Sequence, residues 1–407
     1  MGRIGLVGLA CWSLLALLHA QRLIVPGKEG LGPYTGYGPM YLSPDGKVAL
    51  AGFHSRITDR PHPAIWTLQE GWWYLKPDGG LTRNPREAIW GYANAISYDG
   101  SVVLGYDLAV SRPFRWRRGQ GIEYLRLPSG AYRASARFLS WDGGWVGGRV
   151  AFPLPGGEYW QVARWSPEGR VELIEDRFDP YDMSASGREM VGEYGFFTAC
   201  HWREGEGLRL FWEPFTRADA VSADGTIVAG IFIDRNPPRF CVGRWFVDEY
   251  RMECADPPQT MTQVMDMSAD GRVIAGYDYD PESGDVTGFL WEAGRGWINI
   301  GEAYRWLLGE NEAGGAGRMS ADGRYLLVSI LTPPLPGGYR LGAVGILDRF
   351  GIQGDVTGDD CVDDADLLRL LFAFGQEGWR PEDVNVDRAI DEQDLLIVLS
   401  RFGECAN

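Results

Sequence analysis

The sequence predicts an all-β chain of seven repeats, each of four strands, followed by a small all-α module. The motif Ser-x-Asp-Gly, or a close variant, recurs seven times with a mean spacing near 46 residues, beginning at Ser43, Ser97, Ser140, Ser184, Ser222, Ser268 and Ser320. A period of this length fits one four-stranded blade, so we predict a seven-bladed β-propeller over residues 21–350. Residues 351–407 instead carry a 28-residue duplication with apolar residues at helical spacing.

The chain begins with a segment typical of a secretory signal peptide, which we predict to cover residues 1–20. Arg3 supplies the positive charge, residues 4–18 supply the apolar core, and Ala20 is a small residue before Gln21. A weak lipoprotein-like sequence ends at Cys11 and leaves lipidation open as an alternative. The apolar stretch is short for a membrane span, and no other stretch is long enough. We therefore expect a secreted protein, exported by the bacterial route, without a membrane span.

Each predicted repeat has an apolar strand, an Asp-Gly turn, a second apolar strand ending in Gly, and two further strands. The turn follows from local chemistry, because Gly accepts positive φ and Asp favours tight turns. We therefore interpret the repeated acids as structural: Asp45, Asp99, Asp142, Asp224, Asp270 and Asp322. The third strand ends near a Trp that we expect to fill the space between blades: Trp66, Trp116, Trp165, Trp202, Trp245 and Trp291.

The seventh repeat lacks a complete set of strands. Its third-strand segment, residues 341–346, has no Trp and passes almost directly into the acidic C-terminal part. A blade with three strands would expose a sheet edge. We predict that residues 22–25, which follow the signal, supply the missing strand and close the ring.

The Ser-x-Asp-Gly, Val-x-Gly and Trp pattern of residues 39–348 resembles the extracellular HAF repeats, named for a His-Ala-Phe tripeptide before the Trp. No repeat of this chain keeps the full tripeptide; the residues before Trp116 are Phe-Arg, and those before Trp202 are Cys-His. The resemblance implies a propeller and no particular reaction.

The net charge of −16 argues against nucleic acid and anionic membranes as partners. Residues 351–407 hold 14 acids and four arginines, which gives this segment a net charge of −10. The acids follow a pattern: residues 355–366 and residues 383–394 each place oxygen-bearing side chains at positions 1, 3, 5, 9 and 12 of a loop. Such loops suit a hard cation such as calcium, and each precedes a helix rich in leucine.

The two loop–helix repeats of residues 353–405 resemble the type I dockerin domain, which binds two calcium ions. The resemblance implies a first ligand set of Asp355, Thr357, Asp359, the carbonyl of Cys361, Asp363 through water, and Asp366. It implies a second set of Asp383, Asn385, Asp387, the carbonyl of Ala389, Asp391 through water, and Asp394. Position 6, usually Gly, is Asp360 in the first loop and Arg388 in the second, so we expect the second loop to be the weaker.

The positions by which cellulosome dockerins recognise their partner also depart from the family. Positions 10 and 11, usually Ser-Thr, are Asp364-Ala365 and Glu392-Gln393, and the usual Lys-Arg pair of the helices is missing. A cohesin-like or other cell-surface protein as partner is therefore a hypothesis.

Five cysteines follow the predicted signal, and an exported protein can keep disulfides. At loop position 7 the cation takes a backbone carbonyl, so the Cys361 thiol is free to bridge to Cys405. Cys241 and Cys254 are placed symmetrically about residues 247–248 and could face each other across a hairpin. Cys200 would remain a buried thiol. The alternative is that some of these cysteines stay reduced.

Few residues favour catalysis. The three histidines after the predicted signal, His54, His62 and His201, are not in metal-ligand spacing, and no Gly-x-Ser-x-Gly segment occurs. We therefore expect a monomeric, secreted, non-catalytic binding or scaffold protein. The alternative is a polysaccharide-active enzyme or an accessory subunit of polysaccharide catabolism, with carbohydrate as the ligand.

Overall fold

Seven antiparallel sheets follow one another along the chain, one for each Ser-x-Asp-Gly repeat. The computed structural model describes residues 22–26, 34–37, 40–174, 178–195, 197–211, 215–235, 238–254, 261–280, 285–333, 342–349, 354–357, 361–376, 382–384 and 389–405. The predicted signal peptide lies outside these residues. The seven-bladed propeller of four-stranded blades is confirmed, with extra strands in the first blade.

In chain order, the strands up to the end of the third blade are β1 (Arg22–Ile24), β2 (Tyr34–Tyr37), β3 (Tyr41–Leu42), β4 (Ala49–Ser55), β5 (Arg60–Thr67), β6 (Gly71–Leu75), β7 (Leu81–Thr82), β8 (Gly91–Ile96), β9 (Val102–Asp107), β10 (Arg112–Arg117), β11 (Gly121–Tyr124), β12 (Arg133–Leu139), β13 (Val146–Leu154), β14 (Gly157–Trp165) and β15 (Val171–Leu173). The fourth and fifth blades contain β16 (Phe178–Met183), β17 (Glu189–Tyr194), β18 (Ala199–Arg203), β19 (Gly207–Leu210), β20 (Phe215–Val221), β21 (Ile227–Arg235), β22 (Pro238–Phe246) and β23 (Arg251–Cys254). The last strands are β24 (Met261–Met267), β25 (Val273–Tyr279), β26 (Val286–Glu292), β27 (Gly296–Asn299), β28 (Glu312–Met319), β29 (Tyr325–Leu331) and β30 (Gly342–Asp348). The helices are α1 (Ile300–Ala303), α2 (Arg305–Leu308), α3 (Asp364–Ala373) and α4 (Glu392–Ser400).

The Ser-x-Asp-Gly turn is held by its own side chains. In the fifth blade, the Ser222 hydroxyl donates to Asp224 (2.7 Å) and accepts from the N–H of Ile227 (2.9 Å). Asp224 also accepts from the N–H of Thr226 (3.0 Å), and Gly225 has a φ of 78°. The same contacts recur in five other blades, whereas the fourth has Ser in place of Asp. The repeated acids are therefore turn residues, as the sequence predicts.

The variable residue of each turn joins a ring of backbone hydrogen bonds around the propeller axis. Each N–H donates to the carbonyl of the corresponding residue in the next blade at 2.6–3.1 Å, in the order Tyr98, Trp141, Ala185, Ala223, Ala269, Ala321 and Pro44. Pro44 has no N–H, and the adjacent N–H of Asp45 donates to Tyr98 instead (3.2 Å). This ring links successive blades around the central channel.

The N-terminal strand closes the propeller, as the sequence predicts. Strand β1 pairs with β30, with Arg22 opposite Asp348 and Ile24 opposite Ile346. The last blade thereby gains its fourth strand and loses its exposed edge. The first blade departs from the plan, because β2 and β3 both pair with β4 and β7 is added beside β6.

The third-strand tryptophans pack between blades. Five of the six are buried, at 0–9% exposure: Trp66, Trp116, Trp165, Trp202 and Trp291. The indole N–H of Trp116 donates to the carbonyl of Lys76 (2.7 Å), and that of Trp165 donates to Arg126 (2.6 Å). Each acceptor belongs to the blade before the one that contains the donor, so each indole joins two blades.

The residue before the Trp is a buried arginine in three blades. Arg115, Arg164 and Arg244 each donate to a backbone carbonyl in the turn of the next blade and to a Glu of their own outer strand. In the third blade the carbonyl belongs to Gly187 (3.0 Å) and the carboxylate to Glu172 (2.7 Å). These arginines fix the spacing between successive blades, and sequence analysis did not single them out.

His201 occupies the corresponding position of the fourth blade and is expected to make the protein acid-sensitive. Burial lowers the pKa of His201 from 6.5 to about 4, and Arg203 and Arg209 lower it further. The unfolded chain therefore binds more protons as the pH falls from 6.5 towards 4, and stability falls with it. We expect His201→Leu to remove about 3 kcal/mol of this acid destabilisation, measured by denaturant unfolding at both ends of that range.

Leucine is a matched replacement for His201, because Leu290 precedes the Trp of the sixth blade. His54→Gln, on a side chain that is 41% exposed, is the control. An unchanged pH dependence in His201→Leu would contradict the assignment.

Both predicted disulfides are present, and Cys200 is a buried free thiol. The Cys241–Cys254 bridge does not join directly opposed residues, because Cys254 lies opposite Gly243. The turn is therefore centred between Asp248 and Glu249, one residue later than the sequence symmetry suggests.

The C-terminal module has an approximate two-fold arrangement. Val362 exchanges backbone hydrogen bonds with Gly403 and Glu404, and Ile390 does so with the corresponding residues Gly375 and Gln376. Each repeat thus pairs its loop with the end of the other repeat's helix. In the part of the chain that the structure describes, no helix is long and apolar enough to cross a membrane.

Candidate functional site in the central channel

The inner strands carry irregularities that change which side chains face the channel. The pairing with the second strand shifts in six of them: around Asn94, Arg137, Tyr181, Asp219 and Met265 in five strands, and around Gly314 and again between Ala316 and Met319 in β28. A β-bulge of this kind re-aims a side chain and is common beside functional sites.

A cavity of about 120 Å³ lies above the hydrogen-bond ring. Its polar lining comes from six blades: Tyr41, Asn94, Arg137, Asp182, Asp266 and Arg318. None of these residues was singled out as a site residue from the sequence. The available signal was a charged residue two or three positions before the motif serine, in a strand that otherwise faces the core.

The two acids of the cavity are fixed by the backbone of the next blade. Asp182 accepts from the N–H of Val221, and Asp266 accepts from that of Met319, both at 2.9 Å. Burial raises the pKa of Asp182 to about 6; Arg318 opposes this shift, and the negative charge of Asp266 adds to it. Burial also raises the pKa of Asp266. The cavity therefore holds two carboxyl groups that share the charge of one guanidinium.

The two arginines of the cavity are loosely paired. A terminal nitrogen of Arg318 lies 3.7 Å from Asp266, and one of Arg137 lies 3.6 Å from Asp179. Both distances exceed that of a hydrogen bond. Asp179 is also contacted by Arg149 at 3.1 Å. The side chain of Arg318 is 32% exposed although it lies within the channel, so water reaches it.

Asp219 of the fifth blade lies outside this cavity. Its carboxylate is 2.6 Å from Arg217, and burial raises the pKa of Asp219 to about 7. It has the same strand position as Arg137, three residues before the motif serine. The negative charge of Asp182 adds to this rise, so Asp219 is coupled electrostatically to the cavity although it does not line it.

Nine of the twelve predicted calcium ligands lie within the described residues. Those at loop positions 1 and 12 are buried, at 0–1% exposure: Asp355, Asp366, Asp383 and Asp394. Those at position 9, Asp363 and Asp391, are the N-caps of α3 and α4 and form capping boxes with position 12.

The other ligand positions are only partly described. The side chain of Thr357 is half-buried beside Asp355, Cys361 bridges to Cys405, and Ala389 is half-buried. Asp359, Asn385 and Asp387 lie outside the described residues. Within the described ranges, no three His, Cys, Asp or Glu side chains converge on a metal position, and each predicted set extends beyond those ranges.

Comparison with known proteins bears on the fold alone. No protein-family model and no curated protein matches the chain. The β-propeller domain of the trilobed protease from Pyrococcus furiosus has a TM-score of 0.53 at 10% identity, covering 78% of this chain and 96% of that one. The Swd1 propeller domain of Myceliophteria thermophila has a TM-score of 0.47 at 12% identity, covering 80% of this chain and 99% of that one. TolB from Acinetobacter baumannii has a TM-score of 0.40 at 14% identity, with 63% of this chain covered, and this chain spans 64% of that protein. At such identities, the similarity to the protease domain shows that the body of this chain has a propeller fold.

Proposed function

We propose that this protein is a secreted, non-catalytic binding protein whose propeller is attached to other proteins through a calcium-binding C-terminal module. The single observation that carries the proposal is the pair of buried acids in each loop. The first loop contains Asp355 and Asp366, and the second contains Asp383 and Asp394 at the positions 28 residues later. All four acids are almost fully buried, although this segment carries a strongly negative charge. Buried carboxylates are normally paired or coordinate a metal.

The residues present fit calcium. Both oxygens of Asp366 accept backbone N–H groups, from Thr357 at 2.7 Å and from Asp363 at 2.8 Å, which folds the loop around position 12. Asp394 accepts from Asp391 in the same way (3.0 Å). Oxygen donors from a short loop that ends in an acid are the ligands calcium prefers. When bound, calcium would neutralise the carboxylates and hold each loop against its helix.

Calcium titration of the full chain by calorimetry tests this proposal. We expect two ions per chain, because the ligand pattern occurs twice. Asp355→Asn and Asp383→Asn are each expected to reduce the number to one. Glu392→Gln, on an exposed acid outside both ligand sets, should keep both. Stoichiometry unaffected by both ligand variants would disprove the assignment of these loops.

Attachment to another protein is supported by the outer faces of the two helices. Three apolar pairs are 36% or more exposed and correspond across the 28-residue repeat: Leu368 with Leu396, Leu371 with Leu399, and Phe374 with Phe402. Contiguous exposed apolar residues are typical of protein–protein contacts. A cohesin-like or other cell-surface protein would be the partner.

A polysaccharide-active enzyme is the second candidate. It is favoured by the raised pKa of Asp182, about 6, in a cavity that also contains Asp266. Two carboxyl groups in different protonation states are what glycoside hydrolysis requires. Release of reducing sugar by the propeller that is lost in Asp182→Asn would favour this candidate over a binding protein.

A further inference from the structure

The charges of the central cavity are arranged in two halves. Arg318, Tyr41 and Arg137 come from the seventh, first and third blades, while Asp182 and Asp266 come from the fourth and sixth. Burial raises the pKa of Tyr41, and the positive charges of Arg318 and Arg137 oppose that rise. Both guanidinium groups therefore act on the same phenol, which marks this side of the cavity as electropositive.

The basic half has unused hydrogen-bond donors. Each guanidinium carries five N–H groups. Among the described residues, Arg137 and Arg318 contact carboxylates only at 3.6 and 3.7 Å and donate no hydrogen bond. Arginines with free donors favour a planar carboxylate, which can accept two hydrogen bonds from one guanidinium.

The acidic half limits what such an anion can be. Asp266 uses both oxygens to accept backbone N–H groups, and Asp182 uses one oxygen for Val221, so both acids are held in place. A second negative charge on the ligand would face these carboxylates, which is unfavourable because like charges repel. A cation or hydrogen-bond donor on the ligand would face them favourably.

We propose that the central cavity binds a small zwitterion such as a free α-amino acid, with its carboxylate between Arg137 and Arg318 and its ammonium group towards Asp182. A cavity of about 120 Å³ has room for several water molecules and therefore for a small organic ligand. Glycine, alanine and serine are the smallest amino acids with which to test it. This site goes beyond the proposed attachment function and is independent of the calcium module.

The test is calorimetric titration of the full, calcium-saturated chain with glycine, L-alanine and L-serine, and with acetate and methylammonium as single-charge probes. We expect saturable binding of at least one zwitterion. Acetate and methylammonium should bind at least about tenfold more weakly than that zwitterion. Arg137→Met and Asp182→Asn should each weaken the zwitterion about tenfold or more. Arg137 is 40% exposed, so its replacement is compatible with folding.

The control is Asp59→Asn, which changes an acid of the first blade that is 95% exposed and does not line the cavity, and which should leave binding unchanged. Acetate binding as tight as any zwitterion would overturn the proposal, as would the absence of saturable binding by all three amino acids. Because calcium is saturating in every titration, failure here leaves the two-ion stoichiometry of the C-terminal module standing.

Discussion

Removal of calcium from the full chain is expected to unfold α3 and α4 while the propeller remains folded. Without the ion, the buried carboxylates of Asp355, Asp366, Asp383 and Asp394 repel one another within a small module. The apolar core that opposes this repulsion is small and consists of Val356, Val362, Leu370, Ala373, Val384, Ile390 and Val398. A core of this size is marginal without a metal or a cross-link.

Hydrogen exchange with and without a calcium chelator measures the effect. We expect the amides of Asp364–Ala373 and Glu392–Ser400 to lose protection, while those of inner propeller strands keep theirs. The Cys361–Cys405 bridge keeps the first loop joined to the C-terminal end, so added calcium should restore protection.

The substitution Asp366→Asn gives the same test without a chelator. It should lower the protection of α3 even in calcium, because Asp366 closes the first loop. The neighbouring Asp364→Asn is the control, since that acid is exposed and lies outside the ligand set. Equal protection of both helices with and without calcium would contradict a metal-dependent module.

The architecture of the propeller could be predicted because its signals are local. The side-chain hydrogen bonds of the motif serine and aspartate stay within the turn, so the spacing of the motif reveals the number of blades. The closing strand was also predictable, because the seventh repeat is one strand short and Leu23 and Ile24 are apolar residues directly after the predicted signal.

The cavity could not be predicted, because its residues are far apart in the sequence and come together only when the seven blades close around the axis. Arg137 and Arg318 are 181 positions apart, and the register shifts at the bulges decide which side chains face the channel. A one-residue shift reverses the face of every following side chain in a strand. The same sensitivity explains Cys254, which was paired with the correct cysteine although the turn is centred one residue later. The calcium ligands remain a prediction.

Arg164→Met is expected to destabilise the propeller by about 3 kcal/mol, because it removes a buried charge from the contact between the third and fourth blades. Arg164 is 1% exposed and donates to the carbonyl of Gly187 (3.0 Å) and to Glu172 and Glu204 (2.7 and 2.6 Å). Its guanidinium also lies 3.9 Å from the ring centre of Trp145. Methionine keeps much of the length and apolar volume of arginine. The loss of stability therefore measures the removal of the guanidinium group rather than the creation of a cavity.

The expected loss is moderate because the partners of Arg164 differ in exposure. Glu172 and Glu204 are 49% and 40% exposed, so water can solvate both carboxylates after the substitution. The carbonyl of Gly187 lies at the buried contact between blades and loses its donor, which costs about 1–3 kcal/mol. Most of the destabilisation should therefore come from this one backbone acceptor.

The matched control is Arg188→Met, which removes a second arginine that contacts Glu204, at 3.4 Å. The side chain of Arg188 is 69% exposed, so its ion pair is screened by water and should contribute less than about 0.5 kcal/mol. Denaturant unfolding followed by tryptophan fluorescence measures both variants. Equal stability of Arg164→Met and Arg188→Met would show that the buried arginines do not hold the blades together, whereas a large difference would extend the same role to Arg115 and Arg244, which make the corresponding contacts.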